Sequence, residues 1–141
     1  MSVQVQVMSM IVSALRADTA LTSQLITYST TNGVFTHVAQ GFDDYPYVVL
    51  YDIDLNGDDN DVTLAFDGVF NLHSWSDSLD FAVIGNIQKA IYNALHRASL
   101  TMADYDLIDM YQENQITLRD PDGITLHGVQ RFRIILQNKE A

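Results

Sequence analysis

Apolar residues recur at intervals of three and four near the start of the chain, at Val3, Val7, Met10, Ile11, Ala14 and Leu15. That spacing lines one face of a helix of about four turns. Arg16-Ala17-Asp18 interrupts it, and the Asp18 carboxylate is placed to cap a short second turn over Thr19 to Leu25. From Ile26 to Tyr45 the pattern dissolves into Thr, Ser, Asn and Gly. Thr30-Thr31-Asn32-Gly33 is the clearest turn there, because Asn and Gly accept positive φ. Val34 to Val38 reads as a short edge strand. A loop this long in a small domain is often functional or ordered by a partner.

Pro46 opens a β-branched and aromatic run, Tyr47-Val48-Val49-Leu50-Tyr51-Asp52, that predicts a strand. An acidic loop from Asp52 to Asp61 is expected next, then a long strand from Val62 to Trp75 with a bulge or bend at Gly68. Beyond Gly68, Phe70 and Leu72 point to one face while Val69, Asn71, His73 and Trp75 point to the other. Helical spacing returns at Phe81, Ile84, Ile87, Ile91 and Leu95, widened by Val83, Ala90 and Ala94. It predicts a helix from about Ser78 to His96 or Ala98, capped from Ser76-Asp77-Ser78. Lys89, His96 and Arg97 suit its negative end. The last third predicts a hairpin with arms Ile108 to Leu118 and Thr125 to Gln137, joined by Asp120-Pro121-Asp122-Gly123 in a type I turn with a following bulge. In its second arm Phe132, Ile134 and Leu136 alternate with Arg131, Arg133 and Gln137, one face buried and one wet. The expected fold is α+β: a mainly antiparallel sheet of about four to five strands with two helices packed on one face.

Length agrees with one domain spanning 1–141, and the 48% apolar content rules out disorder as the main state. Charge adds more. Seven Lys and Arg stand against 18 acids, all but two of them Asp, for a net −11. Such a surface repels nucleic-acid phosphate and anionic membranes; it suits solubility, a basic partner or cations. No run approaches a membrane span. With no basic residue before Arg16, no signal peptide is expected, and synthesis in the cytosol follows. The absence of cysteine removes disulfides and thiolate metal sites.

Candidate chemistry is sparse. Asp52-Ile53-Asp54-Leu55-Asn56-Gly57-Asp58 matches the first seven positions of an EF-hand loop, which makes Asp52, Asp54, Asn56 and Asp58 weak calcium candidates. The match fails at the twelfth position, Thr63, where a bidentate Glu belongs, so a plain solvated loop is the expectation. His37, His73, His96 and His127 show no zinc spacing. His73 or His127 could serve as a general base only with geometry that sequence does not supply. Nucleophile elbows and Gly-rich phosphate loops are absent. Asp43-Asp44 and Asp58-Asp59 sit in polar stretches where both members stay ionised. No enzyme, cofactor or metal is therefore expected. Arg131 and Arg133 share a strand face, with Arg119 near the turn; three cations are too few for a nucleic-acid patch, so pairing with nearby Asp is expected. Trp75, ending the central strand, is expected to pack against the large helix, with an oligomer contact as the alternative.

Several stretches, in order, resemble the tail terminator or tail completion proteins of long-tailed bacteriophages, the lambda-like minor tail protein family. They are Ile11 to Leu21 (helix and Asp-initiated turn), Tyr45 to Tyr51 (first core strand), Phe70 to Trp75 with the helix after it, and Asp120 to Arg133 (closing hairpin). The link at Asp52 to Asp61 is longer than that family's usual one. The resemblance implies a structural protein of the virion tail, assembled in the host cytoplasm as a homo-hexameric ring. Such a ring caps the tail tube, ends its polymerisation and faces the head connector, and DNA passes through without specific binding. Trp75, Arg131 and Arg133 are the candidates for its oligomer or tail interface. Two alternatives are a head-side neck or stopper protein and a weak calcium-binding module; a small hydrolase using His73 or His127 is a third.

Overall fold

The computed structural model of the chain describes residues 2–27, 31–38, 41–57 and 64–139. Helix α1 spans Val3–Ala17 and is capped by Ser2, whose hydroxyl accepts from the Val5 N–H. Asp18 ends α1 and caps α2 (Thr19–Thr22), its carboxylate accepting from the Leu21 N–H at 3.0 Å. The turn after α2 carries Asn32 and Gly33 at φ 52 and 80, as these residue types predict, with the Val34 N–H donating to Thr31 O. Thr30, the first residue of the expected turn, lies outside the described residues.

Five strands follow: β1 (Val34–Phe35), β2 (Tyr47–Gly57), β3 (Ala65–Ser76), β4 (Tyr105–Arg119) and β5 (Leu126–Asn138), with α3 (Phe81–Leu95) between β3 and β4. Their order across the sheet is β1-β2-β3-β5-β4. The α+β class holds, but the sheet is mixed, because the two-residue edge strand β1 runs parallel to β2 while every other pair is antiparallel. The closing turn forms as its chemistry dictates. Gly123 takes φ 78, its N–H donates to Asp120 O, and the Asp122 carboxylate accepts from Ile124, Thr125 and the Thr125 hydroxyl.

Two expectations change in the middle of the sheet. The loop expected from Asp52 is strand as far as Gly57; Asp59, Asp61 and Val62 lie outside the described residues. The bulge falls at Tyr51, not Gly68. Leu50 pairs with Leu72 and Asp52 with Asn71, leaving Tyr51 as the extra residue. That insertion switches the parity of β2, so Ile53 and Leu55 join Val48 and Leu50 against the core. Gly68 sits in regular pairing and is glycine for a different reason: a Cβ there would lie 2.0 Å from Asp54 O.

The inner face of the sheet carries Val48, Leu50, Phe70, Leu72, Phe132 and Ile134, pooled in one cluster with residues of α1 and α3. Phe70 and Phe132 stack across β3 and β5 at 5.3 Å. Helix α3 starts at Phe81 under an Asp80 cap, later than predicted, and Phe81 itself is 52% exposed. Its Ile84, Ile87, Ile91 and Leu95 are buried, each stabilising by about 1.5–3 kcal/mol. Gln88 is the polar exception on that face. Its amide donates to Ile116 O and accepts from Gln115 and Thr117, and its backbone carbonyl accepts from the buried Gln130. Gly128 of β5 lies directly beneath it, where a Cβ would come within 2.4 Å of the Gln88 amide.

Candidate functional site

The opposite, outer face of the sheet divides into two chemically distinct halves. At one end, register places two rows of side chains across four strands: Leu118, His127, Trp75 and Tyr47, and beside them Ile116, Val129, His73 and Val49. Trp75 is therefore not packed on α3 as expected. Strand alternation sends Ser74 and Ser76 to the buried side and Trp75 outward, where its indole stacks on the His127 ring at 3.7 Å. His73 Nδ1 and His127 Nε2 meet at 2.6 Å, and the Tyr51 ring covers His73 at 4.4 Å. Burial lowers both imidazole pKa values; His127 falls to about 4, helped by the neighbouring His73, while Asp52 partly opposes the shift at His73.

Tyr47 closes one side of this half. Its ring meets Phe35 and Phe42 edge-on and stacks on Tyr45, and burial raises its hydroxyl pKa to about 12. Between these rings and the β-surface runs a cleft of about 380 Å³, bounded by Thr36, Phe42, Val49, Tyr51 and Trp75.

The other half is polar and internally paired. A bulge in β4 at Glu113 swings that carboxylate over β5, where its two oxygens accept from Arg131 Nε at 3.1 Å and Arg133 Nε at 2.8 Å. Arg133 also donates to Asp67 at 2.8 Å. Hydrogen bonding from Arg133, then Arg131, holds the Glu113 carboxyl below its ordinary pKa, and the same contacts raise that of Arg133. Arg133 finds an Asp, Asp67, as expected, while the acid paired with Arg131 is Glu113. Arg119 lies over the Phe81 ring at 5.3 Å.

The calcium candidates are not drawn together. Asp52, Asp54 and Asn56 stand on alternate positions of the extended strand β2, where successive same-face residues are about 6–7 Å apart. Asp52 accepts from the Asn71 amide at 2.8 Å. Asp58 and Thr63 lie outside the described residues. Among the described residues no three His, Asp or Glu side chains converge as a metal site requires. The remaining histidines are dispersed: His96 accepts from the Gln112 N–H and stacks on Tyr92, and His37 is exposed beside the cleft. Asp43 and Asp44 are exposed. No described helix is long and apolar enough to cross a membrane.

Sequence reading missed the meeting of His73 with His127. The only signal was that each sits on the outward parity of its strand; joining them needs the β3–β5 register, which a single sequence does not state.

The fold is an α+β domain whose five-stranded mixed sheet turns a chemically divided face outward. The particular family follows from sequence: a family model described as tail completion protein gp17 matches residues 9–137, and the chain belongs to that family of structural phage tail proteins. Its fold is similar to that of a chain in the virion of a native gene transfer agent particle. The TM-score is 0.84 at 19% identity, covering 96% of this chain and 98% of that one. None of the curated proteins matches the chain in sequence. The protein is thus a structural component of tail assembly, from a family that is not an enzyme class.

Proposed function

We propose that the protein caps the phage tail tube as one subunit of a ring, ends tube polymerisation and forms part of the surface that meets the head connector. Membership of the tail completion family across residues 9–137 carries this reading. In it, α1 and α3 cover the inner face of the sheet and leave the outer face to neighbours. A closed ring needs two different complementary patches on each subunit. Of the interface candidates, Trp75 is a half-buried aromatic on the outer face, whereas Arg131 and Arg133 contribute through an ion-paired ridge already satisfied within the chain. A homo-hexamer at −11 per subunit would surround DNA with like charge, letting it slide without adhesion. The tail tube protein and the head connector are the partners this role implies. The site of action is the virion tail, after assembly in the host cytoplasm.

Producing particles without this chain tests the role. Electron microscopy is expected to show headless tails whose tubes overrun their normal length. Tubes of normal length that fail only to join heads would favour a head-side neck or stopper protein. Intact particles would overturn both.

A further inference from the structure

We propose that the outer-face band formed by Leu118, His127, Trp75, Ile116, Val129 and His73 is the surface on which a second copy of this chain docks. The inference rests on the ring reading and names the contact within it.

Three observations carry it. First, the band contains no Asp, Glu, Lys or Arg, in a chain with 18 acids. Two copies at −11 each repel wherever their carboxylates come within a Debye length, about 8 Å at physiological salt. A patch without charged side chains is where two such copies meet at the least electrostatic cost. A basic partner would gain nothing there and would be drawn to the Asp-bearing surfaces instead. Second, the histidines do not spoil that neutrality. Their facing nitrogens are committed to each other at 2.6 Å, and burial keeps both rings uncharged near neutral pH. Third, the band has the relief of a contact surface. Ile116 is 42% exposed and Leu118 50% exposed on the edge strand β4, and the half-buried Trp75 leads from them into the cleft of about 380 Å³, which can receive a side chain. In a ring this patch meets a different one on the neighbour.

Trp75 is the only tryptophan in the chain, so its fluorescence reports on the band without any substitution. The purified full-length protein is followed over a concentration series by light scattering and indole emission, beside the double variant Ile116→Glu/Leu118→Glu. Val5→Glu, at an exposed α1 position, serves as control. The wild type is expected to exceed monomer mass while Trp75 emission shifts to the blue and acrylamide quenching falls. In the double variant the dissociation constant is expected to rise about tenfold or more. Its circular dichroism should be unchanged, since both replaced side chains are exposed; Val5→Glu should assemble like the wild type. Assembly without any change in Trp75 emission or quenching overturns the inference, whatever the fold of the variants, and leaves the ring intact. So does undiminished assembly of a folded double variant. A wild type that stays monomeric at every concentration overturns the ring reading and this inference with it.

Discussion

The 2.6 Å contact between His73 Nδ1 and His127 Nε2 places one proton between two neutral rings, one nitrogen donating and the other accepting. Adding a proton to the accepting ring replaces that hydrogen bond with two opposed N–H groups inside a half-buried aromatic stack. The folded state therefore binds fewer protons here than the unfolded chain, whose imidazoles titrate near 6.5. Stability from this pair is complete above pH 6.5 and declines as pH falls toward about 4, the value for His127. The urea midpoint is expected to fall between about pH 7 and pH 5. In His127→Gln the fall should be shallower; an equal fall in both proteins would show that the pair is not the source. Two glycines give a steric comparison. Gly68→Ala places a methyl against the fixed Asp54 carbonyl and is expected to cost on the order of 3 kcal/mol. Gly128→Ala pushes on the hydrogen-bonded amide of Gln88 instead of a backbone carbonyl and should cost on the order of 1–3 kcal/mol, both read from urea unfolding.

Between elements, Gln88 joins α3 to β4 and β5 through hydrogen bonds that the apolar side chains around it do not supply. Gln88→Ala removes the amide while leaving the Thr117 hydroxyl and the Ile116 carbonyl without their partner. A loss of about 1–3 kcal/mol is expected, with faster amide exchange concentrated in β4. Unchanged protection of β4 would mean that the edge strand is held by β5 alone. Such elements were legible in the sequence to different depths. α1, α3 and the closing hairpin emerge because their signals are local: threes and fours, an Asp cap, a Pro-Asp-Gly turn. The acidic stretch misleads for a physical reason. Oxygen-bearing side chains at Asp52, Asp54 and Asn56 with Ile53 and Leu55 between them fit an EF-hand loop, but the same alternation is the two-residue period of a strand with one wet face and one buried one. Strand is what forms, because the Tyr51 bulge turns the apolar members inward. A bulge is one extra residue in a pairing register, so a reading without the partner strand assigns Trp75 to the helix and leaves His73 and His127 apart. The outer face was legible as a list of side chains; its arrangement was not.

At the scale of the whole molecule, net charge and surface pattern pull in opposite directions. A charge of −11 opposes any self-association, while the apolar half of the outer face favours it. Salt separates the two, because it screens repulsion between copies and leaves apolar contact in place. The Debye length shrinks from about 10 Å at 0.1 M salt to about 3 Å at 1 M. If copies meet through the band around Trp75, raising sodium chloride over that range should strengthen assembly, with a lower dissociation constant by light scattering. If they meet through the ridge of Arg131, Arg133 and Glu113, new charge pairs form across the contact and the same salt should weaken it. The sign of the salt dependence thus assigns one half of the outer face or the other to the subunit contact. It also bears on DNA passage: a contact that leaves the carboxylates uncovered keeps most of them available to line a channel that DNA crosses without adhering.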